Sequence, residues 1–239
     1  MPAEAAPSFV WVEAIPGAGE RIMVDEAEAH YLTKVCRVRV GEGVSLTDGR
    51  GGRAQARIVQ ASDEAIVEIV EVERLLPKRT AMMMVGAPER GRADWMVEKL
   101  AELGVTTFQP IDTERSHWAW AKAEVRLERW RRLARAALRQ SRRSFELETR
   151  EPIALSAALA LAPGETGRYV ADPEGTPAWR LNPLATGLSV GLVGPAEGFS
   201  TGEREQMTNA GYVGISLSDG RLRSETAALA LTSWWSAAG

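Results

Sequence analysis

Eight arginines and one glutamate lie between Arg126 and Arg143, with Arg132, Arg135, Arg139 and Arg142 or Arg143 spaced at i, i+3, i+7 and i+10 or i+11. At 3.6 residues per turn this spacing sets them along one side of a helix predicted over residues 122–143. Leu127, Trp130, Ala134, Ala137 and Leu138 form an apolar stripe on another side. Guanidinium groups with a single carboxylate in their own segment repel one another until an external anion sits among them, and their planar forks suit phosphate. The chemistry on offer is polyanion binding, against the plain alternative of a solvated helix face.

Two further stretches combine glycine with reactive side chains. Leu192-Val193-Gly194-Pro195-Ala196-Glu197-Gly198-Phe199-Ser200 follows an apolar run, and Leu217-Ser218-Asp219-Gly220-Arg221-Leu222-Arg223-Ser224-Glu225 follows another. In open α/β sheets ligands bind beyond the carboxyl ends of strands, where glycine lets backbone come close. Ser224 can cap the helix that follows and Glu225 suits the positive end of its dipole, so neither needs a ligand. That account leaves Arg223 without a task. Two such loops on one sheet imply a small-molecule pocket beside the cationic helix.

Other chemistries lack their residues. The two histidines, His30 and His117, fall in different predicted domains, so no HExxH helix or three-histidine metal site can form, and no metal is expected. Each reads as a surface or hydrogen-bonded side chain. There is no GxSxG nucleophile elbow and no GxGxxG after a strand. Gly86–Arg92 has phosphate-loop glycine spacing but places Arg92 and Ala93 where Lys and Ser or Thr are required, which argues against triphosphate hydrolysis.

The surrounding pattern supplies the elements. From Phe9 to Val72, short alternating runs separated by turns such as Asp48-Gly49 predict a small all-β module, with one helical interruption at residues 25–34 capped by Asp25. Pro77 closes it, giving predicted domains of 1–77 and 78–239. The second shows strand-like runs at 81–85, 107–111, 169–171, 188–193 and 212–217. Helices are predicted at 93–103, ended by Gly104, at 122–143 and at 225–235. This alternation predicts a mostly parallel sheet flanked by helices, an α/β fold.

Composition narrows the class. The 239 residues hold 29 basic and 32 acidic groups, a net charge of −3, so the chain is no uniformly basic nucleic-acid coat protein. Residues 115–150 nonetheless hold 11 basic and 4 acidic groups, a local field suited to one polyanion on one face. Cys36 is the single cysteine, so no internal disulfide forms and a reducing, cytoplasmic setting is expected. The N-terminal MPAEAAPSF does not read as a signal peptide. No apolar run reaches the roughly 18 residues of a membrane span. Of the eight tryptophans, including Trp118, Trp120, Trp234 and Trp235, core positions are expected.

At these residues the sequence resembles the bacterial 16S ribosomal RNA (uridine-N3) methyltransferase family, small subunit methyltransferase E, of the SPOUT class. His30, Val35-Cys36-Arg37, Gly41 and Asp48-Gly49 resemble its first-domain pattern. Lys99, Glu102-Leu103-Gly104-Val105, Pro110, Glu114-Arg115-Ser116, Gln140-Ser141 and Arg143 resemble its later signatures. Its GPEGGF loop stands here as GPAEGF, and its L-G-x-R-I-L-R-x-E-T-A segment as LSDGRLRSETA. The departures displace the loop carboxylate to Glu197, at a position where the family has glycine, and put Gly220-Arg221 in place of Arg-Ile.

The resemblance implies a small PUA-like β-barrel at residues 1–77 that helps bind RNA. It implies a C-terminal trefoil-knotted SPOUT-like sheet at 78–239, a homodimer, and 16S rRNA or the small ribosomal subunit as partner. S-adenosyl-L-methionine would be held by Val193, Gly194, Pro195, Gly198, Leu217 and Leu222. Arg37, Arg115, Arg135, Arg139, Arg142 and Arg143 would face RNA. Arg223 is the expected electrostatic catalyst and Glu197 the candidate general base. Rival readings are a SPOUT methyltransferase for another RNA position and a non-catalytic RNA-binding ribosome-assembly protein.

Overall fold

The computed structural model describes residues 8–77, 79–89, 91–116, 123–162, 166–183 and 187–236. Contacts group them into two compact units, Met1–Pro77 with Leu138–Glu146, and Lys78–Ala137 with Leu147–Gly239. The segment Leu138–Glu146, assigned from sequence to the second domain, thus packs with the first unit.

The first unit contains β1 (Ser8–Trp11), β2 (Arg21–Met23), α1 (Glu26–His30), β3 (Gly43–Thr47), β4 (Gly52–Gln60) and β5 (Ile66–Arg74). Its sheet runs β1-β3-β4-β5-β2, with β1 parallel to β3 and the other pairs antiparallel. Alternate residues (Val44 and Leu46 on β3, Ala54, Ala56 and Ile58 on β4) turn into one apolar core with Leu32 and Val67. Asp25 caps α1 as its position implies, accepting from the Glu28 N–H at 2.8 Å. The helix then continues as a π-helical turn, Tyr31–Cys36, closed by Arg37 in the left-handed region at φ 55°. His30 is exposed at the end of α1.

The Asp48-Gly49 turn is held by the Asp48 carboxylate, which accepts from the N–H groups of Arg50 and Gly52 at 2.7 and 2.8 Å and from Arg74 at 2.9 Å. Burial opposes its charge, but these donors outweigh it and hold the carboxyl below its ordinary range.

The second unit contains β6 (Arg79–Gly86), α2 (Ala93–Leu103), β7 (Thr107–Asp112), α3 (Ala123–Ser141), β8 (Glu148–Thr149), β9 (Ile153–Ala154) and α4 (Leu155–Leu159). The last turn of α3 belongs to the first unit. After α4 come β10 (Thr166–Pro177), β11 (Gly187–Val193), α5 (Thr201–Asn209), β12 (Val213–Ser216) and α6 (Ser224–Ser236). The sheet order is β12-β10-β11-β6-β7-β8, with β9 also on β7, and every pairing is parallel.

Both faces of this sheet are covered, which is why its strands read as unbroken apolar runs. Met83 and Val85 of β6 join the core that holds α2, Trp130, Leu231 and Trp235, whereas Met82 and Met84 join the opposite core with Phe199, Met207 and Tyr212. Gly104 ends α2 at φ 87°. Among the described residues no helix is long and apolar enough to cross a membrane.

The helix α5 was not anticipated. Thr201–Asn209 buries only Glu203 and Met207, too little apolar periodicity to register. Its signal was the capping box: Ser200 Oγ accepts from the Glu203 N–H at 3.2 Å, and Glu203 Oε2 accepts from the Ser200 N–H at 2.8 Å.

Candidate active site

The two glycine loops converge. A pocket of about 860 Å³ opens beyond the carboxyl ends of β6, β10, β11 and β12, a size suited to a nucleoside-scale ligand. Val193, Gly194, Pro195, Glu197, Gly198, Leu217, Leu222 and Arg223 all line it. The eight residues singled out from sequence for donor binding and catalysis are therefore brought together in one cavity.

Local chemistry shapes each wall. Gly198 takes φ 75° and its N–H closes a turn on the Pro195 carbonyl at 2.9 Å. The left-handed position thus falls on a glycine. Glu197, standing where the family pattern has glycine, is not among the residues with positive φ, so the substitution needs no forbidden backbone. Gly86 must lack a side chain, because a Cβ there would lie 2.7 Å from Pro195 N and Cδ. The last loop is tied down by Ser224 Oγ, which donates to the Gly194 carbonyl at 2.7 Å, and by Arg221, which donates to the Ala196 carbonyl at 2.6 Å.

Three groups were missed by sequence reasoning. Ala87, Pro88 and Glu89, from the loop rejected as a triphosphate site, line this pocket, and Glu89 pairs with Arg223. Asp172 and Pro173 enter through an irregularity of β10, where Ala171 and Thr176 both pair with Ile215 and the intervening residues bulge out. Asp172 pairs with Arg204 of α5 at 2.5 Å. No local pattern announces a bulge, since it is set by the neighbouring strand. The third is Glu225. It is 4% exposed and lines the cavity, although its helix-end position alone accounts for it in the sequence.

The arginines fare differently. Several already have partners: Arg129 pairs with Asp94 of α2 at 2.6 Å, and Arg131 with Glu128 of its own helix at 3.8 Å. Arg139 in particular is committed to the fold. It pairs with the buried Glu28 at 2.6 Å and its guanidinium sits 4.9 Å from the Tyr31 ring centre. Burial pushes the Glu28 carboxyl up to about 7 in spite of that pairing.

Arg142 takes φ 53° and offers its carbonyl to Arg53, while its side chain and that of Arg143 are exposed. Arg37, Arg139, Arg142 and Arg143 belong to the first unit, and Arg115 and Arg135 to the second. His117, Trp118 and Trp120 lie outside the described residues. Trp130 and Trp235 are core, as expected of tryptophan, whereas Trp179 is 79% exposed.

Known proteins give this arrangement its context. The family model for an RNA methyltransferase domain matches residues 76–236, and that for an RNA methyltransferase PUA domain matches residues 24–70. Ribosomal RNA small subunit methyltransferase E of Aquifex aeolicus is 33% identical over 170 residues, 70% of this chain and 72% of that protein. The chain belongs to the small subunit methyltransferase E family. The Mycobacterium bovis member is 28% identical across 95% of this chain and 93% of its own. The crystal structure of the Neisseria gonorrhoeae enzyme, bound to S-adenosyl methionine, superposes with a TM-score of 0.86 at 25% identity, covering 95% of this chain and 96% of that one. The SPOUT-like parallel sheet and the PUA domain are thus family features, and the second unit is an RNA methyltransferase domain.

Proposed function

We propose that this protein transfers a methyl group from S-adenosyl-L-methionine to N3 of a uridine in 16S ribosomal RNA. The observation that carries the reading is that both glycine loops meet Arg223 in one pocket. Its lining suits the donor: Val193, Pro195, Phe199, Ile215 and Leu222 offer apolar surface for an adenosine. When bound, the donor supplies an electrophilic methyl carbon on sulfur.

The protein's part is alignment and charge control. Backbone of the 193–198 and 217–222 loops holds the donor. Arg223, released from Glu89, stabilises the anion that develops on the uracil carbonyl oxygens as N3 loses its proton. Because N3 is hidden in base-paired RNA, the target uridine enters unpaired or flipped.

Arg37, Arg115, Arg135, Arg142 and Arg143 contact the RNA backbone in this reading, in a cytoplasmic homodimer whose C-terminal segment is threaded as a trefoil knot.

The test is incubation with undermethylated small subunits and labelled donor, then nucleoside mass spectrometry. 3-Methyluridine is expected. Another methylated nucleoside would move the target, and none at all would favour the non-catalytic binder.

A further inference from the structure

Glu225 presents an unsolved account. Its side chain is 5% exposed, at the start of α6, and one oxygen, Oε1, lies 3.8 Å from Arg92 Nε. The other, Oε2, is buried with no hydrogen-bond partner. A buried carboxylate oxygen without a donor is costly and rare, and one on a cavity wall points to a donor that a ligand brings. The remaining carboxylates of the pocket differ: Glu89 is held by Arg223, Asp172 by Arg204, and Glu197 is exposed.

Position says which ligand. Two ion pairs cross from the loop after β6 to the segment that enters α6, Glu89 with Arg223 before the helix and Arg92 with Glu225 in its first turn. Glu225 therefore shares one wall with Arg223, the group assigned to the target base, while the donor-holding backbone lies in the 193–198 and 217–222 loops. Among the described residues, Arg92 is the charged group that pairs with it, and Glu89 and Arg223 line the same cavity.

We propose that Glu225 is a catalytic residue, the base that takes the proton from N3 of the target uracil; the inference rests on the reading of N3 methylation above. The N3–H bond breaks toward Oε2, the nitrogen lone pair forms the N–CH3 bond, and the electron pair of the methyl–sulfur bond stays on sulfur as a neutral thioether. The proton leaves to water when product departs.

The experiment uses full-length Glu225→Gln and Glu225→Asp. Unfolding midpoint, donor affinity and single-turnover rate on small subunits are measured from about pH 6 to about pH 9. For Glu225→Gln the expected result is wild-type donor affinity and a rate lowered ~10²–10⁴-fold near neutrality. The deficit should narrow steadily as rising pH ionises the uracil without help. Glu225→Asp should keep the wild-type profile shape at about a tenth of the rate, and it carries the test if the glutamine variant does not fold.

A rate equal to wild type, a deficit constant across pH, or a loss explained by donor affinity would overturn the proposal. Product identity separates the two failures. If wild-type enzyme makes something other than 3-methyluridine, the N3 reading falls and this one with it. If it makes 3-methyluridine and the Glu225→Gln profile is unchanged, this inference alone falls.

Discussion

Replacing Arg223 by alanine isolates chemistry from folding, because the structure separates the two contributions. Arg223 and Glu89 are 60% and 57% exposed. Such a pair contributes at most about 1 kcal/mol, so the unfolding midpoint should move by no more than about 4 °C for a chain of this size. Donor affinity should hold, since the loops are anchored by Ser224 on Gly194 and Arg221 on Ala196 rather than by Arg223.

The transition state is where the residue is needed. Removing a preorganised donor to a developing oxyanion costs about 2.7–4 kcal/mol, a fall of ~10²–10³ in kcat. The assay is single-turnover methylation of small subunits at saturating donor, with calorimetry for donor binding. Arg223→Lys, which keeps charge but loses the fork, should recover part of the rate. Turnover of Arg223→Ala within a few-fold of wild type, or a matching loss of donor affinity, would refute the assignment.

Further outcomes follow from other sites. The Glu28 carboxyl, raised from 4.5 to about 7, binds its proton more tightly folded than unfolded. Its contribution is therefore complete below about pH 4.5 and lost as pH rises through about 7. The stability difference between wild type and Glu28→Gln should fall by about 3 kcal/mol across that window in urea titrations, and a flat difference would show no such shift. A Cβ on Gly191 would lie 2.8 Å from both Leu231 Cδ2 and Trp235 Cη2, so Gly191→Ala should lower stability by about 1–3 kcal/mol in denaturant melts. Gly198→Val forces a branched side chain to φ 75° and should weaken donor binding about tenfold by calorimetry, with the fold retained. Replacing Arg135 and Arg142 by glutamine should weaken RNA binding and reduce its log–log salt slope by about two, whereas Arg139→Gln should lower the melting temperature of the protein instead.

Much of this protein was legible in one dimension. Unbroken apolar strands alternating with helices implied a parallel sheet buried on both faces, since only such strands can dispense with a polar side. Gly104 and Asp25 mark helix ends because caps are local chemistry, readable over four residues. The two glycine loops marked the site, because backbone must approach a ligand beyond strand ends.

What the order of residues left open was partnership across distance. Arg139 looked identical in kind to Arg135 until Glu28, more than a hundred positions away, was brought beside it. Asp172 entered the pocket only through a bulge imposed by β12, and Glu89 only because β6 and β12 deliver their loops to the same end of one sheet. Glu225 carried a complete local explanation as a helix-end acid. Its buried, partnerless oxygen exists only in three dimensions, because desolvation is a property of everything packed around an atom and not of the residues beside it in the chain.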